Sequence, residues 1–273
     1  MKTKLFMFTL AVAGLFFVGC SDDDDNIKVD QTIQNAFEVQ YPDVTRVEWE
    51  MKSGYYVADF KQNGMETEAW YSGQGIWKMT ETDVLYKDIP QAVKSAFEAS
   101  EYATWHVDDV DMLEMPDVET VYIIEVEKGK EEYDLYYTID GVFVKAMVDT
   151  NGTYLPTTVL PAIKEFIAVK YPQARIVDID QERNTVEVDI VDNKISREVV
   201  FDLNGEWMHT KTEVRQADVP QTVLNALATT QYGSWRIDDV DHYVTANSEY
   251  YEFEMESGKQ EVLVKIDMNG NVL

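Results

Sequence analysis

The chain has 273 residues, with 51 Asp and Glu against 23 Lys and Arg and a formal net charge of −28. So acidic a surface repels nucleic acid and anionic lipid headgroups, which excludes both as direct partners. Its single cysteine, Cys20, rules out intramolecular disulfides, and its length exceeds one ordinary domain.

In chain order, Lys2 and Lys4 come first, then an apolar run over 5–18 that is too short to span a bilayer comfortably. Small residues and Cys20 follow, so residues 1–19 read as an export signal. The end, Phe17-Val18-Gly19-Cys20, resembles the lipobox of bacterial lipoproteins, with Phe17 where Leu is usual. That resemblance implies a lipid on Cys20. Residues 20–27 form an acidic linker. By charge alone, Ser21 to Asp25 are a solvated spacer. They also resemble the short acidic signal that sends some Gram-negative lipoproteins to the outer face of the outer membrane. The expected address is thus an outer-membrane lipoprotein, exposed at the cell surface or facing the periplasm. Contact with the membrane is through the lipid only.

The rest repeats itself. "VDQTIQNAFEVQYP" at 29–42 aligns with "VLPAIKEFIAVKYP" at 159–172, an offset of 130. "DIPQAVKSAFEASEY" at 88–102 aligns with "DVPQTVLNALATTQY" at 218–232 at the same offset. A shorter offset of 60 links Ile33 and Phe37 to Val93 and Phe97. There are four units in two similar pairs. Each opens with a helix whose apolar residues recur at i, i+3 and i+4, and Pro90, Pro161 and Pro220 mark helix starts. Alternating strands follow, as in Tyr133-Leu135-Tyr137 and Tyr251-Phe253-Met255. They are punctuated by Asn63-Gly64, Lys128-Gly129, Asp140-Gly141, Asn204-Gly205 and Asn269-Gly270. The last unit's final strand is short. The expected fold is α+β. Two tandem domains, 28–150 and 151–273, each hold two helix-plus-antiparallel-strand units, with the helices on one face of the sheet.

This order of helix, "YPDV" or "YPQA", then strands with D-G or N-G hairpins resembles the PepSY-like domain family. That family is in turn similar to beta-lactamase-inhibitor protein, built of two tandem helix-plus-sheet units. The resemblance covers 28–273. It implies an exported module that binds or inhibits other proteins, and it brings no catalytic residues.

Candidate sites are few. "WHVDDVD" at 105–111 returns as "WRIDDVD" at 235–241. Such carboxylates could suggest calcium, but a calcium loop curls around a central glycine, and here Asp109 and Asp111 alternate along a strand. The acids read as a solvated strand face, with Trp105 and Trp235 anchored in the core. "DLNGE" at 202–206 and "DMNGN" at 267–271 read as turns, because all four units place a turn there. No metal or other cofactor is expected. His106, His209 and His242 are the only histidines, and no nucleophile elbow, H-E-x-x-H or phosphate loop occurs, so no enzyme activity is expected.

Taking the hairpin glycines as rulers, Trp77, Phe143, Trp207 and Val272 stand two places later, at a predicted core position. Trp70, Tyr136, Val200 and Lys265 stand five places earlier, opposite the stripe of Tyr71, Tyr137 and Phe201. Trp70 and Tyr136 are therefore expected to face away from the helices, on an open sheet, as binding anchors. The expected function is a lipid-anchored binding module of the cell envelope. Its partner is a protein, more narrowly an exported hydrolase that it inhibits. The alternative is a structural or carbohydrate-associated surface protein.

Overall fold

The computed structural model describes residues 27–149 and 154–273. The expected signal over 1–19, the lipid site at Cys20 and most of the acidic linker lie outside them, as does the expected 150/151 domain boundary. Within the described residues are four short helices and two antiparallel sheets, a strand-rich architecture of two domains.

The first domain runs α1 (Gln31–Gln40), β1 (Val47–Lys52), β2 (Tyr55–Gln62), β3 (Met65–Tyr71), β4 (Trp77–Asp83), α2 (Gln91–Glu98), β5 (His106–Glu114), β6 (Val121–Lys128), β7 (Glu131–Thr138) and β8 (Phe143–Val148). Its eight strands lie side by side in chain order, and β4 pairing with β5 fuses the two units into one sheet. The second domain repeats this with α3 (Pro161–Lys170), β9 (Arg175–Gln181), β10 (Thr185–Asp192), β11 (Ile195–Asp202), β12 (Trp207–Glu213), α4 (Gln221–Thr229), β13 (Arg236–Thr245), β14 (Glu249–Ser257) and β15 (Gln260–Asp267). A single bridge, Ile266 to Val272, takes the place of its last strand.

The helices are short for the physical reason that they lean on the sheets. An isolated helix of this length is marginal, and its stability comes from the apolar stripe. Ile33 and Phe37 of α1 pack on Ala58, Phe60, Ala69 and Tyr71, and Val93 and Phe97 of α2 pack on Ile124, Leu135 and Tyr137. Ile163 and Ile167 of α3, and Val223 and Leu227 of α4, do the same in the second domain. Each such side chain contributes roughly 1.5–3 kcal/mol of burial. The Asp30 carboxylate caps α1 by accepting the Thr32 N–H at 2.8 Å.

The hairpins tie each unit back onto its helix. Gly141 has φ +80°, and a Cβ there would meet the Ala92 carbonyl oxygen of α2 at 2.5 Å, so only glycine fits. The β10–β11 hairpin needed no glycine and was not signalled: Asn193 and Lys194 both adopt positive φ. The position after the hairpin glycines is less uniform than expected. Trp77 and Trp207 are half-buried against their helices, but Phe143 is 38 % exposed and Val272 57 %. Both lie at the last strand of a sheet, where no further strand covers them.

Candidate functional site

The repeated acidic segments lie on β5 and β13, and each contains a bulge. Pairing jumps from Val107 to Asp109 and from Ile237 to Asp239. The carboxylate after each bulge accepts the next N–H, Asp109 from Val110 and Asp239 from Val240, both at 2.8 Å. Aspartate thus supplies a local acceptor where the kinked ladder is disturbed. Trp105 and Trp235 are half-buried at the rim of the helix-side cores, edge-on to Tyr102 and Tyr232. The calcium-like turns are turns: Asp202 accepts the N–H groups of Asn204 and Glu206, and Asp267 those of Asn269 and Asn271.

The helix-free face of the first sheet is not open. Trp70 and Tyr136 do point away from the helices, but Trp70 is 0 % and Tyr136 6 % exposed. This corrects the expectation of exposed anchors. The two side chains belong to a second core with Val57, Met79, Leu113, Val121, Ile123 and Val144, completed by Val177 and Val191 of the other domain. Residues 154–160, an extended strap between the domains, add to the cover. Tyr154 stands edge-on to Tyr136 at 6.5 Å, the Pro156 carbonyl accepts from the Tyr55 hydroxyl at 3.4 Å, and Thr158 accepts from Lys78 at 3.4 Å. Trp70 Nε1 is buried without a hydrogen-bond partner.

A polar clasp holds the domains beside this core. Lys145, on β8, inserts its ammonium among Asp178, Asp180 and Asp189 of the second sheet, at 2.5, 2.8 and 2.9 Å. The three carboxylates lie close enough to hold a metal ion, and the lysine occupies that position. Burial opposes the lysine's charge, yet Asp178, Asp189 and Asp180 outweigh it and hold its pKa above the usual value. Burial also pushes Asp178 up, and Asp189 up to about 6. The lysine shifts upward because three acids face one cation, and the acids shift upward because burial outweighs the lysine's pull. Arg175 adds a bond to Glu119 at 2.6 Å, and Lys164 pairs with Asp117. Sequence reading missed this clasp. Its only signal was a lysine on the strand of "VFVKAMV" and the acids of "RIVDID".

The helix-free face of the second sheet differs at six places that form the buried core of the first. Trp70, Met79, Leu113, Val121, Ile123 and Tyr136 have as counterparts Val200, His209, Tyr243, Tyr250, Glu252 and Lys265. Tyr243 and Tyr250 are cross-strand partners stacked at 5.1 Å and 5°, and His209 leans on Tyr243 at 5.6 Å. Lys265 lies over both tyrosines and bonds Glu252 at 2.6 Å. Both rings are half-buried. Burial first, then nearby Glu252 and Asp241, raises the Tyr243 hydroxyl well above the usual tyrosine range.

The family description "Putative beta-lactamase-inhibitor-like, PepSY-like" matches residues 54–145, 146–196 and 184–273. The chain belongs to this PepSY-like family. Among solved structures it is similar to a BLIP-like protein from Bacteroides fragilis, at 38% identity over 50% of this chain and 100% of that one, with a TM-score of 0.47. It is also similar to DUF2874 family proteins from Bacteroides uniformis and Bacteroides ovatus. Identities are 33% and 32%, over 46% and 45% of this chain and 92% and 89% of theirs, each with a TM-score of 0.43. No curated protein matches.

One more feature of this PepSY-like pair is a band of carboxylates beside the buried core of the first sheet. Glu68, Glu81, Asp83, Asp109 and Asp111 share the helix-free face by strand alternation and register. Burial, then the neighbouring acids, pushes Glu81 up to about 7 and Asp111 up to about 9. Asp111 also shares a carboxyl hydrogen bond with Asp83. Asp111 therefore holds its proton at neutral pH, and Glu81 is about half protonated there.

Proposed function

We propose that the protein is a lipid-anchored protein-binding module of the cell envelope, and that its second domain presents the partner-facing surface. In this reading residues 1–19 are removed and Cys20 carries the lipid. Residues 20–27 space domains 28–150 and 151–273 from the membrane, at the outer membrane. The observation that carries the reading is the helix-free face of the second sheet. It offers Tyr243, Tyr250 and His209 amid carboxylates, whereas the matching face of the first sheet is filled. Tyrosine gives large contact area at low conformational-entropy cost, and the acidic surroundings complement a basic protein surface. Inhibition of an exported hydrolase is the narrower form of this function. Trp70 and Tyr136 act as anchors only where a partner displaces the strap.

The test is capture from envelope extract with the chain lacking residues 1–20. Tyr243→Ala with Tyr250→Ala should weaken capture of the main partner more than tenfold and leave the melting temperature nearly unchanged. Unchanged capture by the folded double variant would move the surface elsewhere. Saturable binding of a defined glycan through the same tyrosines, with no protein captured, would replace this reading with a carbohydrate-associated one. Full retention of a Cys20→Ala protein in the membrane fraction would remove the lipid anchor.

A further inference from the structure

The two domains also differ on the helix side. In the first, two tyrosine rings fill the space where α2 meets the end of the sheet. Tyr133 lies 5.6 Å from Trp105 and 5.8 Å from Tyr102, and Tyr86 lies 5.9 Å from Phe97. The repeat carries Tyr86 onto Gln216, Phe97 onto Leu227 and Trp105 onto Trp235 at an offset of 130. Across the shorter hairpin of the last unit, Tyr133 falls on Val262, as Gly129 falls on Gly258. Gln216, Leu227 and Val262 are each smaller than the residue they replace, while the tryptophan is kept. At this place the second domain has a cavity of about 310 Å³, lined among others by Gln216, Leu227, Trp235, Ile237 and Met255. Val262 is the cross-strand partner of Met255, just as Tyr133 is of Val126.

We infer that this cavity is a binding pocket for a phenol-like aromatic ring. The first domain shows the occupant's chemistry, because there the chain supplies the rings itself. The size supports one substituted ring: an apolar cavity of about 150 Å³ already holds benzene, and ligand pockets begin near about 300 Å³. The lining divides suitably. Leu227, Ile237 and Met255 give apolar walls, Trp235 gives an aromatic face and Gln216 gives one amide for a hydroxyl. The pocket lies on the helix side, away from Tyr243 and Tyr250, so the inference stands apart from the proposed protein-binding face.

The experiment is a titration of the chain lacking residues 1–20 with 4-methylphenol, followed by NMR at the tryptophan Nε1–H and methionine methyl signals. One saturable site is expected, shifting Trp235 and Met255. Val262→Tyr and Gln216→Tyr should each weaken it at least tenfold and raise the melting temperature, since they rebuild the filling of the first domain. Conversely, Tyr133→Val should open the matching space and raise the stoichiometry from one to two. The Tyr133→Val arm stands even if a filled variant fails to fold. Absence of saturable binding, or binding untouched by both filled variants when folded, would overturn the inference. A short acetylated Gly-Tyr-Gly amide separates the sources. Binding tenfold tighter than 4-methylphenol assigns the pocket to a partner's tyrosine, and equal or weaker binding to a free small aromatic.

Discussion

The helix-free faces of the two sheets are built on one fold and take opposite roles. At six matching places the first sheet has Trp70, Met79, Leu113, Val121, Ile123 and Tyr136, and the second has Val200, His209, Tyr243, Tyr250, Glu252 and Lys265. The first set is buried under a strap and a neighbouring domain, while the second leaves its tyrosines half-buried and Lys265 exposed. The difference teaches that large apolar side chains on a sheet face recruit cover from the same chain when any is at hand. Their size therefore marks a core as readily as an interface. Amphipathic residues at the same places can stay wet.

The comparison breaks most strongly at the clasp. Lys145→Met removes the one cation that, among the described residues, pairs with Asp178 and Asp189, and leaves both acids buried. Breaking such a pair costs about 3–5 kcal/mol. The loss should shrink on acidification. Lys145 holds both pKa values down, so without it they rise further above their unfolded values than in the parent, and the variant gains more stability than the parent as pH falls toward 4. Urea unfolding at pH 7.5 and 5 checks this. An equal loss at both values would show that the carboxylates do not carry it.

Next comes the buried tryptophan itself. Trp70→Ala should cost about 3–5 kcal/mol, and its counterpart Val200→Ala far less, about 1–2 kcal/mol. Trp70→Phe should cost less than Trp70→Ala, because it keeps a buried aromatic ring while shedding an indole N–H that is buried without a partner. Thermal unfolding of the three variants ranks them. A Trp70→Ala protein as stable as the parent would return Trp70 to the role of exposed anchor.

Much of this was legible beforehand, and the misses share a cause. The four-unit repeat, the helix stripes and the direction of Trp70 and Tyr136 follow from local periodicity, which one chain segment carries alone. The covering of that face does not, because it depends on Tyr154, Pro156, Val177 and Val191, which lie far away in sequence. Lys145 and its acids are likewise meaningful only once β8 lies against the second sheet. Tyr243 and Tyr250 escaped the hairpin-glycine ruler because they lie on neighbouring strands. The acidic repeat was read correctly as a strand, but the bulge that accounts for its doubled aspartate was not foreseen.

The acidic band of the first sheet gives a smaller effect of opposite sign. Asp111 faces Glu81 and Asp83 from β4, Asp109 along its own strand, Ile123 on β6 and Tyr154 from the strap. Burial foremost raises it to about 9 from an unfolded value near 3.8. Between those values the folded protein holds a proton that the unfolded chain releases, so stability falls as pH rises. Asp111→Asn should therefore stabilise at pH 8.5, by about 1–2 kcal/mol after solvent screening, and have little effect near pH 4. Denaturation midpoints at the two pH values check this. A loss of stability at pH 8.5 would mean that the ionised carboxylate makes a favourable contact.

The smallest effect sharpens the comparison at the strap. Tyr55→Phe deletes one hydroxyl, whose bond to the Pro156 carbonyl at 3.4 Å lies at the long end of the range. A bond of that kind is worth at most about 0.5–1.5 kcal/mol, so global stability should hardly move. Local opening should move more, because the strap is extended and has no strand of its own to pair with. Amide exchange at residues 155–160 is expected to quicken several-fold in Tyr55→Phe, and further in Tyr154→Ala, which removes the ring standing over Tyr136. Exchange across β10 to β15 should stay unchanged in both. If instead the strap exchanges at its original rate in Tyr154→Ala, the neighbouring sheet alone keeps Trp70 and Tyr136 covered. A partner could then reach those two residues only by parting the domains at the Lys145 clasp.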